Sequence, residues 1–132
     1  MGKTVAASRA EVPNWFHVGV IAPPGYDPPG FEVRVSRTLA KLLGPKSRTH
    51  KIGICGVWAE PVSAAVVEAS KGNGWHLSGH AVDREGGRCG WLRVWLMIAV
   101  ASDAIIVFGP TDPTLDTVLA MCREIRCGIR RV

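Results

Sequence analysis

The sequence predicts an α/β fold, a doubly wound parallel sheet of about five strands in three layers. Three observations predict it. Strand-like and helix-like segments alternate from residue 16 to the C-terminus. The strand-like segments are continuous apolar runs rather than alternating ones, the pattern of strands covered on both faces. The 132 residues hold no internal repeat and no low-complexity tract, and 47 % of them are apolar, which suits one domain with one core. The expected organisation is a flexible segment over 1–15 and a single Rossmann-like domain over 16–132.

The elements follow in order. The polar, small residues of 1–15 show no periodicity. "FHVGVIA" (16–22) predicts the first strand, and "PPGYDPPG" (23–30), with four prolines, predicts a turn-rich loop. "FEVRVSRTLAKLLG" (31–44) puts Val35, Leu39, Leu42 and Leu43 on one face and stops at Gly44–Pro45, so it predicts a helix. "KIGICGVW" (51–58) predicts the second strand. Pro61 suits the first position of a helix that runs to Gly72–Asn73–Gly74. "WHLSGHAV" (75–82) is a weaker strand, and "DREGGRCG" (83–90) a loop. "WLRVWLMIAVA" (91–101) predicts a buried helix and "AIIVFG" (104–109) a buried strand. "TLDTVLAMCREIR" (114–126) predicts the last helix and "GIRRV" (128–132) the last strand.

Charge and cysteines bound the function. The net charge is +5 and the pI about 9.4, which favours an anionic partner such as a nucleotide or phosphate. No run of five like charges occurs, so a nucleic-acid partner is not expected. Cysteines 55, 89, 122 and 127 form no Cys-x-x-Cys, and "MGKTVAASRA" has no apolar signal core. Reduced thiols and a cytoplasmic location are therefore expected. Arg93 and Asp103 interrupt the apolar stretch 91–109, which argues against a membrane span. "MGKT" imitates the end of a phosphate-binding loop, but no glycine-rich loop precedes it.

In a doubly wound sheet ligands bind beyond the carboxyl ends of the strands, so loops 22–31, 55–61, 82–91 and 109–114 are the places to inspect. At 109–114 Asp112 or Thr114 can cap a helix. The open N–H groups of a helix start suit a phosphate, and the Thr111 and Thr114 hydroxyls add donors. At 55–61 Gly56 permits close backbone approach, and Glu60 can cap a helix or meet a ribose hydroxyl. At 87–97 Arg88 and Arg93 offer bidentate clamps, or pair with Asp83 or Glu85. Trp91 and Trp95 share a helix face, either packed or stacked on a base. His76, His80 and Cys89 lack the usual zinc spacings, so no metal is expected, and no residue is singled out as catalytic.

Taken together, "VIAPPGY" (20–26), "CGVWAEPVSAAVVEAS" (55–70), "CGWLRVWLM" (89–97) and "FGPTDPTLDTVLAMCREIRCGIRRV" (108–132) resemble the SLOG superfamily, the Rossmannoid domains related to LOG and DprA proteins. The likeness is to small single-domain bacterial and phage members. Gly90, Leu92, Arg93 and Met97 fall in register with that family's Gly-Pro-Leu-Arg-Asn-x-x-Met, as do Thr114, Asp116 and the closing stretch Gly128 to Val132. Pro24 replaces the first-turn arginine, Val94 the asparagine, and Pro110 and Pro113 stand in the Gly-Gly-x-Gly-Thr loop. LOG enzymes cleave an N-glycosidic bond with a paired Arg and Glu. Arg93 holds the arginine's place, and Glu68 is the nearest acid on the second helix.

The resemblance implies binding of a nucleotide or nucleotide-derived ligand, as a sensor or sequestering protein; the departures from the family's motifs argue against catalysis, and no cofactor is expected. Arg93 would pair with phosphate or ribose, the helix start at Thr114 would hold phosphate, and Gly56 and Gly109 would let the backbone come close. Two alternatives stand beside it. One is a LOG-like nucleoside-phosphate N-glycosidase with Glu60 or Asp116 as the acid. The other is a scaffold acting through a protein partner. A homodimer or higher homo-oligomer is expected by analogy.

Overall fold

The computed structural model describes residues 14–132. Strands β1 (Trp15–Ile21), β2 (Lys51–Val57), β3 (His76–His80), β4 (Ala104–Val107) and β5 (Gly128–Arg131) form one sheet in the order β3-β2-β1-β4-β5. Every pairing is parallel. Helices α1 (Phe31–Leu43), α2 (Pro61–Ser70), α3 (Gly87–Val100) and α4 (Pro113–Glu124) make the crossovers, with a 3-10 turn at Lys46–Arg48. This is the doubly wound, Rossmann-like, three-layer α/β fold that the sequence predicts. The segment expected to be flexible lies outside the described residues up to position 13, and Trp15 already belongs to β1.

The sheet's two faces bury different sets. On one, Val18, Val20, Ile52 and Ile54 meet Val35 and Leu39 of α1 and Val62 and Val66 of α2. On the other, Ile21, Cys55, Ile105 and Val107 meet Trp95, Ile98 and Ala99 of α3 and Leu115, Val118 and Leu119 of α4. Alternate residues of each central strand therefore serve opposite layers, which is why those strands read as unbroken apolar runs. The edge strands do not: β3 and β5 carry exposed residues such as His76, Leu77, Arg130 and Arg131. Each is flanked by a strand on one side only, so it needs no continuous apolar run.

Helix α1 buries Phe31, Val35, Leu39 and Leu43, whereas Leu42 is half-buried at the edge of that face. Helix α3 starts four residues before the position its apolar pattern predicts, because Gly87 at φ +55 and the Gly86 N–H bonded to the Asp83 carbonyl wind the first turn from the glycine-rich loop. Its packing is close. A Cβ at Gly90 would collide with the Asp83 carbonyl, and one at Gly19 of β1 would collide with Ile98. Glycine at 19 thus seats Ile98 on the sheet, and Trp95, three residues earlier on the same helix face, is held toward the carboxyl edge. Among the described residues no helix is long and apolar enough to cross a membrane.

Candidate functional site

The strand order reverses between β1 and β4, so the loops that follow these two strands flank the switch point. Aromatic packing closes it. Gly109 adopts φ +81, which a side chain rarely tolerates, and a Cβ there would lie 2.8 Å from the Tyr26 ring. Tyr26 stands edge-on to Phe31 at 5.2 Å, and Phe31 edge-on to Phe108 at 5.6 Å. The proline-rich loop after β1 therefore lays a phenol ring on the backbone after β4.

A polar tie joins the same loop after β1 to the loops after β2 and β3. The Glu60 carboxylate accepts the Gly25 N–H at 2.8 Å and pairs with the Arg84 guanidinium at 2.9 Å. Its side chain is 7 % exposed and that of Arg84 53 %. Arg84 also reaches the Trp58 carbonyl at 3.4 Å and lies over the Trp91 ring at 5.5 Å. A buried carboxylate needs such partners, since an unpaired one is costly to bury.

Beside the switch point a cleft of about 310 Å³ stays open. Pro24 forms one side, Arg88, Trp91 and Trp95 of α3 a second, and Asp112, Pro113 and Thr114 at the start of α4 a third. Asp112 caps α4, accepting the Leu115 N–H at 2.8 Å through its side chain. Thr114 is buried. Trp95 is 1 % exposed, packs on Trp91 at 5.3 Å, and its indole Nε1 has no hydrogen-bond partner among the described residues. Buried donors are nearly always paired, so this unpartnered one stands out among the residues that line the cleft.

The predicted residues distribute unevenly around this cleft. Arg88 and Thr114 are brought together in its walls, and Arg88 makes no ion pair among the described residues. Arg93 is exposed on the water side of α3 and lines no part of the cleft. Glu60 is held in the tie with Gly25 and Arg84. Gly56 is buried in β2 under α2, where a Cβ would meet the Ser63 hydroxyl at 2.8 Å, and that hydroxyl donates to the Val57 carbonyl at 2.6 Å. Gly109 is covered by Tyr26. Thr111 receives a long 3.5 Å contact from Arg131, and Asp116 is exposed on the first turn of α4. Sequence reasoning singled out neither Tyr26 nor Arg84, and it weighed Asp112 only as a cap.

Other hollows open among the described residues, including one of about 440 Å³ at the start of α2 lined by Asp27, Trp58 and Glu60, besides two against β3. One, of about 70 Å³, lies under α2 and β3 and is almost wholly apolar, with the Trp58 indole laid on Gly79. The other is a trough on the opposite face of β3, where His76 and His80 share a side as their spacing predicts, joined by Trp15 and His17 rather than by Cys89. Among the described residues no three metal-ligating side chains cluster. The buried thiols are not poised as nucleophiles. Burial raises Cys55 and Cys122, and burial together with neighbouring Cys122 pushes Cys127 up to about 12.

The chain matches no protein-family model and no curated protein sequence.

Proposed function

We propose that the protein binds a nucleotide or nucleotide-derived small molecule in the cleft between α3 and the start of α4. The observation that carries this reading is the unpartnered, buried indole N–H of Trp95, a residue that lines a cleft at the sheet's carboxyl edge. An unmet buried donor costs roughly 1–3 kcal/mol, and a ligand acceptor recovers it. Arg88, the Thr114 hydroxyl and the flat Trp91 ring supply the anion clamp, the polar contact and the aromatic wall that such ligands need. The resemblance to SLOG domains points to the same ligand class.

Catalysis is not part of the proposal. Glu60 is engaged by Gly25 and Arg84, Asp116 lies on the exposed side of α4, and neither shares a cleft with Arg93. Calorimetry against adenine nucleotides, ADP-ribose, cyclic dinucleotides and the four ribonucleoside monophosphates tests the reading. Binding that weakens by roughly five- to a hundredfold in Trp95→Phe supports it, and silence across the whole panel removes it.

A protein partner is a second reading, favoured by one observation. Met97 and Val100 on the outer side of α3 are 51 % and 71 % exposed, next to half-buried Leu96. Sedimentation of wild type against Val100→Glu checks it, an unchanged monomer in both being the negative result.

A further inference from the structure

We propose, resting on the reading above, that the cleft takes a single mononucleotide, with a sugar hydroxyl on Asp112 and the phosphate on Arg88, off the axis of α4. The start of α4 is a poor phosphate seat. Pro113 has no N–H to offer. The Leu115 N–H is taken by the Asp112 carboxylate and the Asp116 N–H by the Asp112 carbonyl, both at 2.8 Å. Only the Thr114 amide remains. The helix end carries about half a positive charge, and the full negative charge of Asp112 outweighs it, with Asp116 adding a second in the same turn. A phosphate placed there would meet two carboxylates and one N–H.

The same carboxylate is a good reader of hydroxyls. Asp112 Oδ1 holds the cap, and its second oxygen makes no hydrogen bond among the described residues. A carboxylate beside a nucleotide cleft is the usual acceptor for ribose hydroxyls. The anion then falls to Arg88, whose guanidinium is exposed at the cleft wall without an acidic partner among the described residues. The base is left to Trp91 and Trp95, with a ring nitrogen or carbonyl accepting from the Trp95 N–H. A cleft of about 310 Å³ stands at the small end of ligand pockets, which run from roughly 300 to 1,000 Å³. It holds one nucleoside unit and not two.

The test titrates the full chain with the four ribonucleoside 5′-monophosphates, their 2′,3′-dideoxy counterparts, the parent nucleosides, ADP-ribose, a cyclic dinucleotide and inorganic phosphate. At least one ribonucleoside monophosphate is expected to bind. Its dideoxy counterpart should be weaker by roughly ten- to a hundredfold, the worth of a charge-assisted hydrogen bond. Asp112→Asn keeps the cap, so it should fold as wild type, and it should erase the difference between ribo and dideoxy ligands. Arg88→Gln should do the same between nucleotide and nucleoside. Equal binding of dideoxy and ribo forms, tight binding of inorganic phosphate alone, or binding of ADP-ribose or the cyclic dinucleotide with all four monophosphates silent overturns this inference. The first and third of these leave the broader nucleotide reading standing, whereas phosphate binding with every nucleotide silent removes that reading as well. Silence across every probe removes both.

Discussion

Replacing Trp95 with Phe separates a functional donor from a structural ring. Trp95 is wholly buried between α3 and the sheet, and its N–H has no partner among the described residues. Deleting that N–H returns the roughly 1–3 kcal/mol that its unmet burial costs. The smaller ring leaves a void of a few tens of Å³, worth about 1 kcal/mol against the fold at ~24 cal/mol per Å³. The two terms nearly cancel or favour the variant. In urea unfolding Trp95→Phe should therefore lie between equal to wild type and about 2 kcal/mol more stable, where truncating an ordinary buried Trp to Ala costs about 3–5 kcal/mol. Repeating the titration with a ribonucleoside monophosphate at about a hundred times its dissociation constant should stabilise wild type by ~2.7 kcal/mol and move its urea midpoint by roughly 1–3 M. At the same ligand concentration the variant, its affinity weaker by the same roughly 1–3 kcal/mol, should gain only about 0.3–1.8 kcal/mol. A variant that loses more than about 3 kcal/mol without ligand, or that keeps the full ligand shift, refutes the reasoning, because its N–H was then either satisfied or irrelevant.

Two further outcomes follow from the same geometry. Arg84→Met leaves the Glu60 carboxylate buried with only the Gly25 N–H. Its cost is set at roughly 1–2 kcal/mol, between an exposed and a buried ion pair, because Arg84 is half-exposed. Glu60→Gln keeps an acceptor for Gly25 and lets Arg84 turn to water, so it should cost less; urea unfolding in which the order is reversed would contradict the tie. Alkaline pH should weaken the fold through the buried thiols. Cys127 stays neutral in the folded chain up to about 12, whereas in the unfolded chain it ionises near its ordinary 9.0. Its contribution is whole below pH 9.0 and falls as pH climbs toward 12, so Cys127→Ala should flatten the decline of the urea midpoint above pH 9.0.

Much of the fold was legible because its signals are local. Pro61 and Pro113 stand at the first positions of α2 and α4, as backbone chemistry dictates, and α1 stops where Pro45 follows Gly44, which itself stays helical at φ −55. The apolar runs of β1, β2 and β4 report burial on both faces, a property of the strand itself. The start of α3 was less legible, since two glycines and an Asp83 turn replace a side-chain cap. The site was half legible. Arg88 and Thr114 lie near a helix start, and the loops to inspect follow from topology. The fate of Glu60, Gly109 and Arg93 does not. Whether Glu60 meets a ribose or Arg84 depends on how residues 25, 60 and 84 converge, and no spacing encodes that. Arg93 depends on the rotation of α3, and its low amphipathicity conceals this: apolar side chains occupy the outer face too, at Met97 and Val100.

Closing the switch point with Tyr26 moves the opening from the strand ends to the gap between two helices, and this displacement can itself be tested. The phenol ring rests on Gly109 and against Phe31, and it is no part of the cleft wall. Tyr26→Ala removes a half-buried aromatic side chain and should cost about 2 kcal/mol, less than truncation of a fully buried one. It also uncovers the backbone at Gly109, the position a doubly wound fold ordinarily gives its ligand. If the ligand is held by Arg88, Trp95 and Asp112, the variant's affinity for a ribonucleoside monophosphate stays within about twofold of wild type, since no contact of less than ~0.4 kcal/mol is resolved by a twofold change. Affinity that rises tenfold or more on removing the ring would mean that Tyr26 occupies the true seat and that the helix gap is a neighbour of the site. Stability and affinity are separate readouts here, so a variant that folds less well still answers the question at any temperature where it is folded.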